Sequence, residues 1–166
     1  MAYTSPSPGV SAKQVVLKLD TGIALDTLTL GASPITIPAL QDVTINASND
    51  VFTWSQLDKT AKLQIATTST NSISMNLVVD DATFFGTTIA STSSDTVAAQ
   101  GLLGMSRNKS LVTFSFKFLE NSSSDRFIKG QGYISSLAPK VSADQPVWIS
   151  PCTIVVVGEY TVATSE

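Results

Sequence analysis

The chain has 166 residues, 43% of them hydrophobic and only 14% charged, with no histidine and a single cysteine, Cys152. One domain's length is enough to bury a proper core, but the missing histidine removes Ser-His-Asp and Cys-His nucleophilic machinery and any imidazole-ligated metal, and one thiol makes neither an internal disulfide nor a multi-thiolate zinc site. A net charge of −3, with basic residues scattered from Lys13 to Lys140, argues against gripping nucleic acid through its phosphates.

In chain order, Ala2–Ser11 carries Pro6, Pro8 and Gly9, which forbid a helix and predict an extended arm. Lys13–Leu19 reads as a strand with Val15, Leu17 and Leu19 on one face, and Ile23–Leu30 as another with Leu28 and Leu30 at period two. Ile35–Ile37, stopped by Pro38, reads as an edge strand. Val43 and Ile45 continue the pattern up to Asn46–Asp50, whose Asn and Asp content predicts a loop. Val51–Ser55 is a half-strand, Leu63 and Ile65 mark another, and Ser72–Val79 alternates cleanly through Ile73, Met75 and Leu77. Thr87–Ser94 is a connector leading into a helix over about 95–106, capped by Ser94 or Asp95, with Ala98, Leu102 and Met105 on one face.

The strongest strand is Leu111–Phe118. Val112, Phe114, Phe116 and Phe118 share a face whose burial is worth about 6–10 kcal/mol gross. A polar hairpin loop, 121–125, leads to the return strand Arg126–Ser135, where Gly130 and Gly132 predict a bulge or close backbone approach. Leu137–Gln145 is a connector and Pro146–Tyr160 a long terminal strand pair. The unbroken run Ile154–Val157 suggests cover on both faces. Seven to nine strands and one helix predict a mainly β, antiparallel β-sandwich or barrel-like domain with one flanking α-helix, spanning residues 1–166.

Candidate chemistry is sparse. Gly130-Gln-Gly132 sits inside a strand and lacks the third glycine of a phosphate cradle. Asp80-Asp81 could bind a divalent metal, but neighbours on a strand point to opposite faces, and a polar strand end explains them. Cys152, in an apolar strand with no base to activate it, reads as a buried inert thiol. No catalytic, cofactor or metal residue is expected, and the protein is not expected to be an enzyme. The amino terminus lacks the features of a secretory signal, and the longest apolar run is too short to cross a bilayer. Ser and Thr, about a quarter of the chain, replace the missing charge. Such a surface suits contact with another subunit, since interfaces are depleted in Lys, Asp and Glu, and equally an extracellular-type β-domain.

The order of helix, aromatic strand Leu111–Leu119, polar hairpin and Phe127-Ile-Lys-Gly-Gln-Gly-Tyr-Ile-Ser-Ser136, with the ending Asp144-Gln-Pro-Val-Trp-Ile-Ser150 and Ile154–Tyr160, resembles the tail tube (major tail) proteins of long-tailed bacteriophages. The resemblance implies hexameric rings with a continuous inner β-barrel, stacked into a tube that conducts genomic DNA into the host without specific binding. It implies an arm (about 1–12) and a long inter-strand loop (about 43–62) that join rings, with Tyr3, Pro6, Pro8, Val51, Phe52 and Trp54 as candidate inter-subunit contacts. Asp42, Asp80 and Asp125 are candidate acidic residues of the lumen. Implied partners are the chain itself, a tail terminator, baseplate or tip proteins, and tape-measure or sheath proteins. The implied location is the virion tail, assembled in the host bacterial cytoplasm, with no membrane insertion. Two alternatives are a carbohydrate-binding or adhesin-like β-sandwich using Trp54, Trp148, Tyr133 and Tyr160, and a tail terminator or completion protein forming a single ring.

Overall fold

The computed structural model describes residues 16–37, 40–58, 60–119 and 125–166. Tyr3, Pro6, Pro8 and the rest of the expected arm lie outside them, as do Pro38 and most of the 121–125 loop. Eight strands are present: β1 (Val16–Thr21), β2 (Ile35–Ile37), β3 (Leu40–Trp54), β4 (Leu63–Val78), β5 (Val112–Leu119), β6 (Arg126–Leu137), β7 (Lys140–Ser142) and β8 (Gln145–Ala163). They form one antiparallel sheet in the order β2-β1-β5-β6-β8-β4-β3, with β7 pairing beside β8. A π-helical turn, Asp81–Phe85, and helix α1, Val97–Arg107, sit between β4 and β5. This is the expected mainly β, barrel-like architecture with a flanking helix.

One face of the sheet closes over a single core. Leu17 and Leu19 of β1, Ile73, Met75 and Leu77 of β4, Val112, Phe114 and Phe116 of β5, and Cys152 and Ile154 of β8 meet there with Phe84, Leu102 and Met105 from the helical flank. The aromatic face of β5 is core as its alternation predicts; the side chain of Phe118 lies outside those described. Gly130 gives Phe114 room: a Cβ there would stand 2.6 Å from the ring's Cζ. Tyr160 meets the same ring edge-on, with centroids 6.3 Å apart.

Several local expectations differ from the structure, each for an identifiable reason. Ile23–Leu30 is not a strand; it crosses the outer face of β5 and β6 as a loop. There the Gln131 amide nitrogen lies 2.9 and 3.1 Å from the carbonyls of Ala24 and Thr27, and its oxygen accepts from the Asp26 N–H at 2.7 Å. Asn46–Asp50, the first part of the expected 43–62 loop, is strand: side-chain bonds from Ser69 to Asn49 and from Thr68 to Asp50, both 2.8 Å, replace the local turns these residues prefer. Only 55–62 connects β3 to β4.

Helix α1 is capped by Thr96, whose hydroxyl accepts from the Ala99 N–H, rather than by Ser94 or Asp95. Asp95 instead closes the preceding turn on Thr92. Ala98 is exposed because the helix kinks at Gly101. The terminal segment is one strand of 19 residues rather than a pair. In the run Ile154–Val157 the even-numbered residues are buried and Val155 and Val157 are exposed, so the alternation was hidden by apolar residues on the outer side.

Candidate interaction surfaces

The sheet ends in a long free margin. Among the described residues β3 pairs only with β4, leaving its other edge open over 15 residues. Natural edges are usually blunted by Lys, Pro or brevity. This one carries no Pro, Lys or Arg; its acids are Asp42 and Asp50, and its pairing with β4 is irregular between Leu40 and Asp42 and between Asn49 and Val51. The opposite margin, β2, has three residues.

The β3–β4 hairpin outruns the body of the sheet. Strand β4 pairs with β8 only from Ser72 to Val78. Above that point β8 turns to β6 alone and β4 to β3 alone. The Asn71 amide donates to the Gly158 carbonyl at 3.0 Å where the strands part. The Tyr160 hydroxyl donates to the Ser72 carbonyl at 2.7 Å and lies 3.2 Å from that of Asn46, while partial burial raises its phenol pKa. Beyond this clasp the two strands form a ribbon with no third layer among the described residues.

At its far end the register sets Phe52 opposite Ile65 and Trp54 opposite Leu63, all four on one face by the two-residue alternation. Phe52 and Ile65 are 59% and 55% exposed, and the Phe52 and Trp54 rings stack with centroids 5.9 Å apart. Val51, also exposed, faces the other way beside Ala66. The fold therefore gathers Val51, Phe52 and Trp54, the described half of the expected contact set, on one projecting ribbon. Leu63 and Ile65, which complete the apolar face, had only their strand pattern as a signal.

The three candidate acids are not gathered. Asp42, at the base of β3, accepts from the Asn76 backbone and side-chain N–H groups. Asp80 caps the π-helical turn through the Thr83 N–H and hydroxyl. Asp125 pairs with Lys117 at 3.3 Å. Asp42 borders a polar outer face with Thr44, Ser74, Asn76 and Thr153.

The four aromatic residues of the carbohydrate reading are likewise dispersed. Trp54 is on the ribbon, exposed Tyr133 pairs with Val155, exposed Trp148 lies seven residues earlier on β8, and the Tyr160 hydroxyl is committed to the clasp. Burial pushes the Cys152 thiol up to about 12, in keeping with an inert side chain. Among the described residues no group of three or more His, Cys, Asp or Glu could hold a metal, and no helix is long and apolar enough to cross a membrane.

No family model and no curated protein matches the sequence. Among solved structures, the chain is similar to the tail of an empty gene transfer agent particle refined with C6 symmetry (TM-score 0.62, 13% identity, 93% of this chain and 98% of that one). It is similar to the SPP1 tail tube (0.62, 13%, 94% and 80%) and to the baseplate of the anti-feeding prophage (0.62, 12%, 96% and 97%). The chain has the tail tube fold over nearly its whole length.

Proposed function

We propose that this protein is the structural subunit of a phage-type tail tube, polymerising as stacked hexameric rings around a channel for DNA. The observation that carries the reading is the long open β3 edge on a chain with the tail tube fold. An edge of that length invites pairing with another chain, and ring closure removes it. Head-to-tail contacts build either closed rings or open filaments, and a stack of rings uses both. The role is structural, with no catalytic step, and the location is the virion tail, assembled in the host bacterial cytoplasm.

In this reading the whole chain works as one unit. Its arm (about 1–12, with Tyr3, Pro6 and Pro8) and the ribbon bearing Val51, Phe52 and Trp54 contact neighbouring copies. The polar face around Asp42 turns to the channel, and Asp80 and Asp125 add negative charge. An acidic wall repels phosphates and lets DNA slide. Terminator, baseplate or tip, and tape-measure or sheath proteins meet the tube at its ends, bore or outer wall.

Negative-stain microscopy of the purified protein tests this directly. Rings and tubes of uniform width are expected. Compact monomers alone at high concentration would overturn the reading, and single rings that never stack would favour a terminator.

A further inference from the structure

The shoulder between the π-helical turn and α1 carries a groove of about 210 Å³ lined by Phe85, Ile89, Leu103, Gly104, Ser91 and Arg107. A cavity of about 150 Å³ already accepts a benzene ring, so this one takes a branched aliphatic side chain. Its walls are unusually apolar for a surface: Phe85 and Leu103 are exposed and Ile89 is 95% exposed. The Ser91 hydroxyl in its lining is buried with no hydrogen-bond partner among the described residues. At the rim, Arg107 donates to the carbonyls of Ser91 and Ile89 and has no carboxylate partner among the described residues.

The groove's shape is set by main chain. Gly86 and Gly101, with φ of 77° and 62°, lie against each other, and a Cβ on Gly101 would stand 2.4 Å from the Gly86 nitrogen. The kink at Gly101 leaves the Ala98 and Ala99 carbonyls to accept from the N–H groups of Thr87 and Thr88, each at 3.1 Å. The apolar walls are thus held in place by backbone contacts.

The complementary feature is on the same chain. The turn of the β3–β4 hairpin presents Leu57, fully exposed at 112%, followed by exposed Asp58. An aliphatic side chain with an acid beside it matches an apolar groove with a cation at its rim. We propose that the groove receives the β3–β4 turn of a second copy, Leu57 entering between Phe85, Ile89 and Leu103 while Asp58 meets Arg107. This docking rests on the tube reading and names the partner surface for the ribbon. Donor and acceptor are different patches of one chain, so the contact propagates from copy to copy.

The test is a disulfide trap in the full chain. Leu57→Cys and Ile89→Cys replace two fully exposed side chains, so neither threatens the fold. A cysteine pair closes only when the Cα atoms come within about 7 Å, and buried Cys152 stays silent. Oxidation of assembled double variant with copper–phenanthroline should give a ladder of successive multiples on non-reducing gels, absent from either single variant. Asp58→Arg should cut tube yield at least tenfold while the thermal midpoint of the dissociated chain stays put. Tubes without a ladder, or full yield from Asp58→Arg, overturn the docking and leave the tube reading standing. A parent protein that forms no rings or tubes overturns both.

Discussion

Near its base the β3–β4 hairpin turns Ile73, Met75 and Leu77 into the core, with Val43 and Ile45 half-buried opposite them; past Asn71 the same two strands expose every side chain except partly covered Trp54 and Leu63. The ladder of backbone bonds runs through both halves, from Leu40↔Leu77 to Trp54↔Leu63. What changes is the layer underneath. An isolated two-stranded ribbon is marginal in water; the base is stabilised by the core, and the far half has no such support among the described residues. Strand pairing fixes the shape of the ribbon, while burial against the core is confined to its base.

Substitutions separate the halves. The largest effect on folding is expected from Ile73→Ala, which empties a fully buried position and should cost about 2–5 kcal/mol in urea titrations of the dissociated chain. A loss below 1 kcal/mol would mean that the base is not held by the core. Tyr160→Phe removes the clasp between the halves and should cost about 1 kcal/mol, with faster hydrogen exchange confined to the ribbon amides beyond Asn46. Uniform exchange across the sheet would show that the two halves open together. The smallest effect on folding is expected from Phe52→Ser combined with Ile65→Ser, within about 0.5 kcal/mol in the dissociated chain, yet tube yield should collapse. Normal tubes from that variant would remove the ribbon's apolar face from assembly.

The base was readable from sequence and the ribbon only in part, for a physical reason. Period-two burial wrote Ile73, Met75, Leu77, Phe114 and Phe116 into the chain as an alternation, and the presence of the flanking helix and the burial of Cys152 were legible, though not the helix's Thr96 cap or its kink at Gly101. Asn46–Asp50 read as a loop because Asn and Asp favour local turns. Their strand conformation is imposed by cross-strand partners some 20 residues away, and β preference depends heavily on such context. Val155 and Val157 misled in the opposite sense, since outward-facing valines erase the alternation by which an exposed face is recognised. The π-helical turn is a single turn whose only clear sign was Asp80, a residue also readable as a strand end. Phe52 and Trp54 could be named as candidate contacts, but their apolar companions Ile65 and Leu63 join them only through a register no spacing rule supplies. Nothing in the spacing brings the hairpin turn and the groove at Arg107 into view as complementary surfaces.

The mutual contact of Gly86 and Gly101 has a consequence for how such a shoulder can change over time. With two backbones touching and no side chain between them, the positions under the groove tolerate no gradual enlargement, because even a methyl group collides. Substitutions at the walls, Phe85, Ile89 and Leu103, would reshape the lining without moving the frame beneath. The groove's depth is therefore fixed by backbone, and its chemistry by the side chains above it.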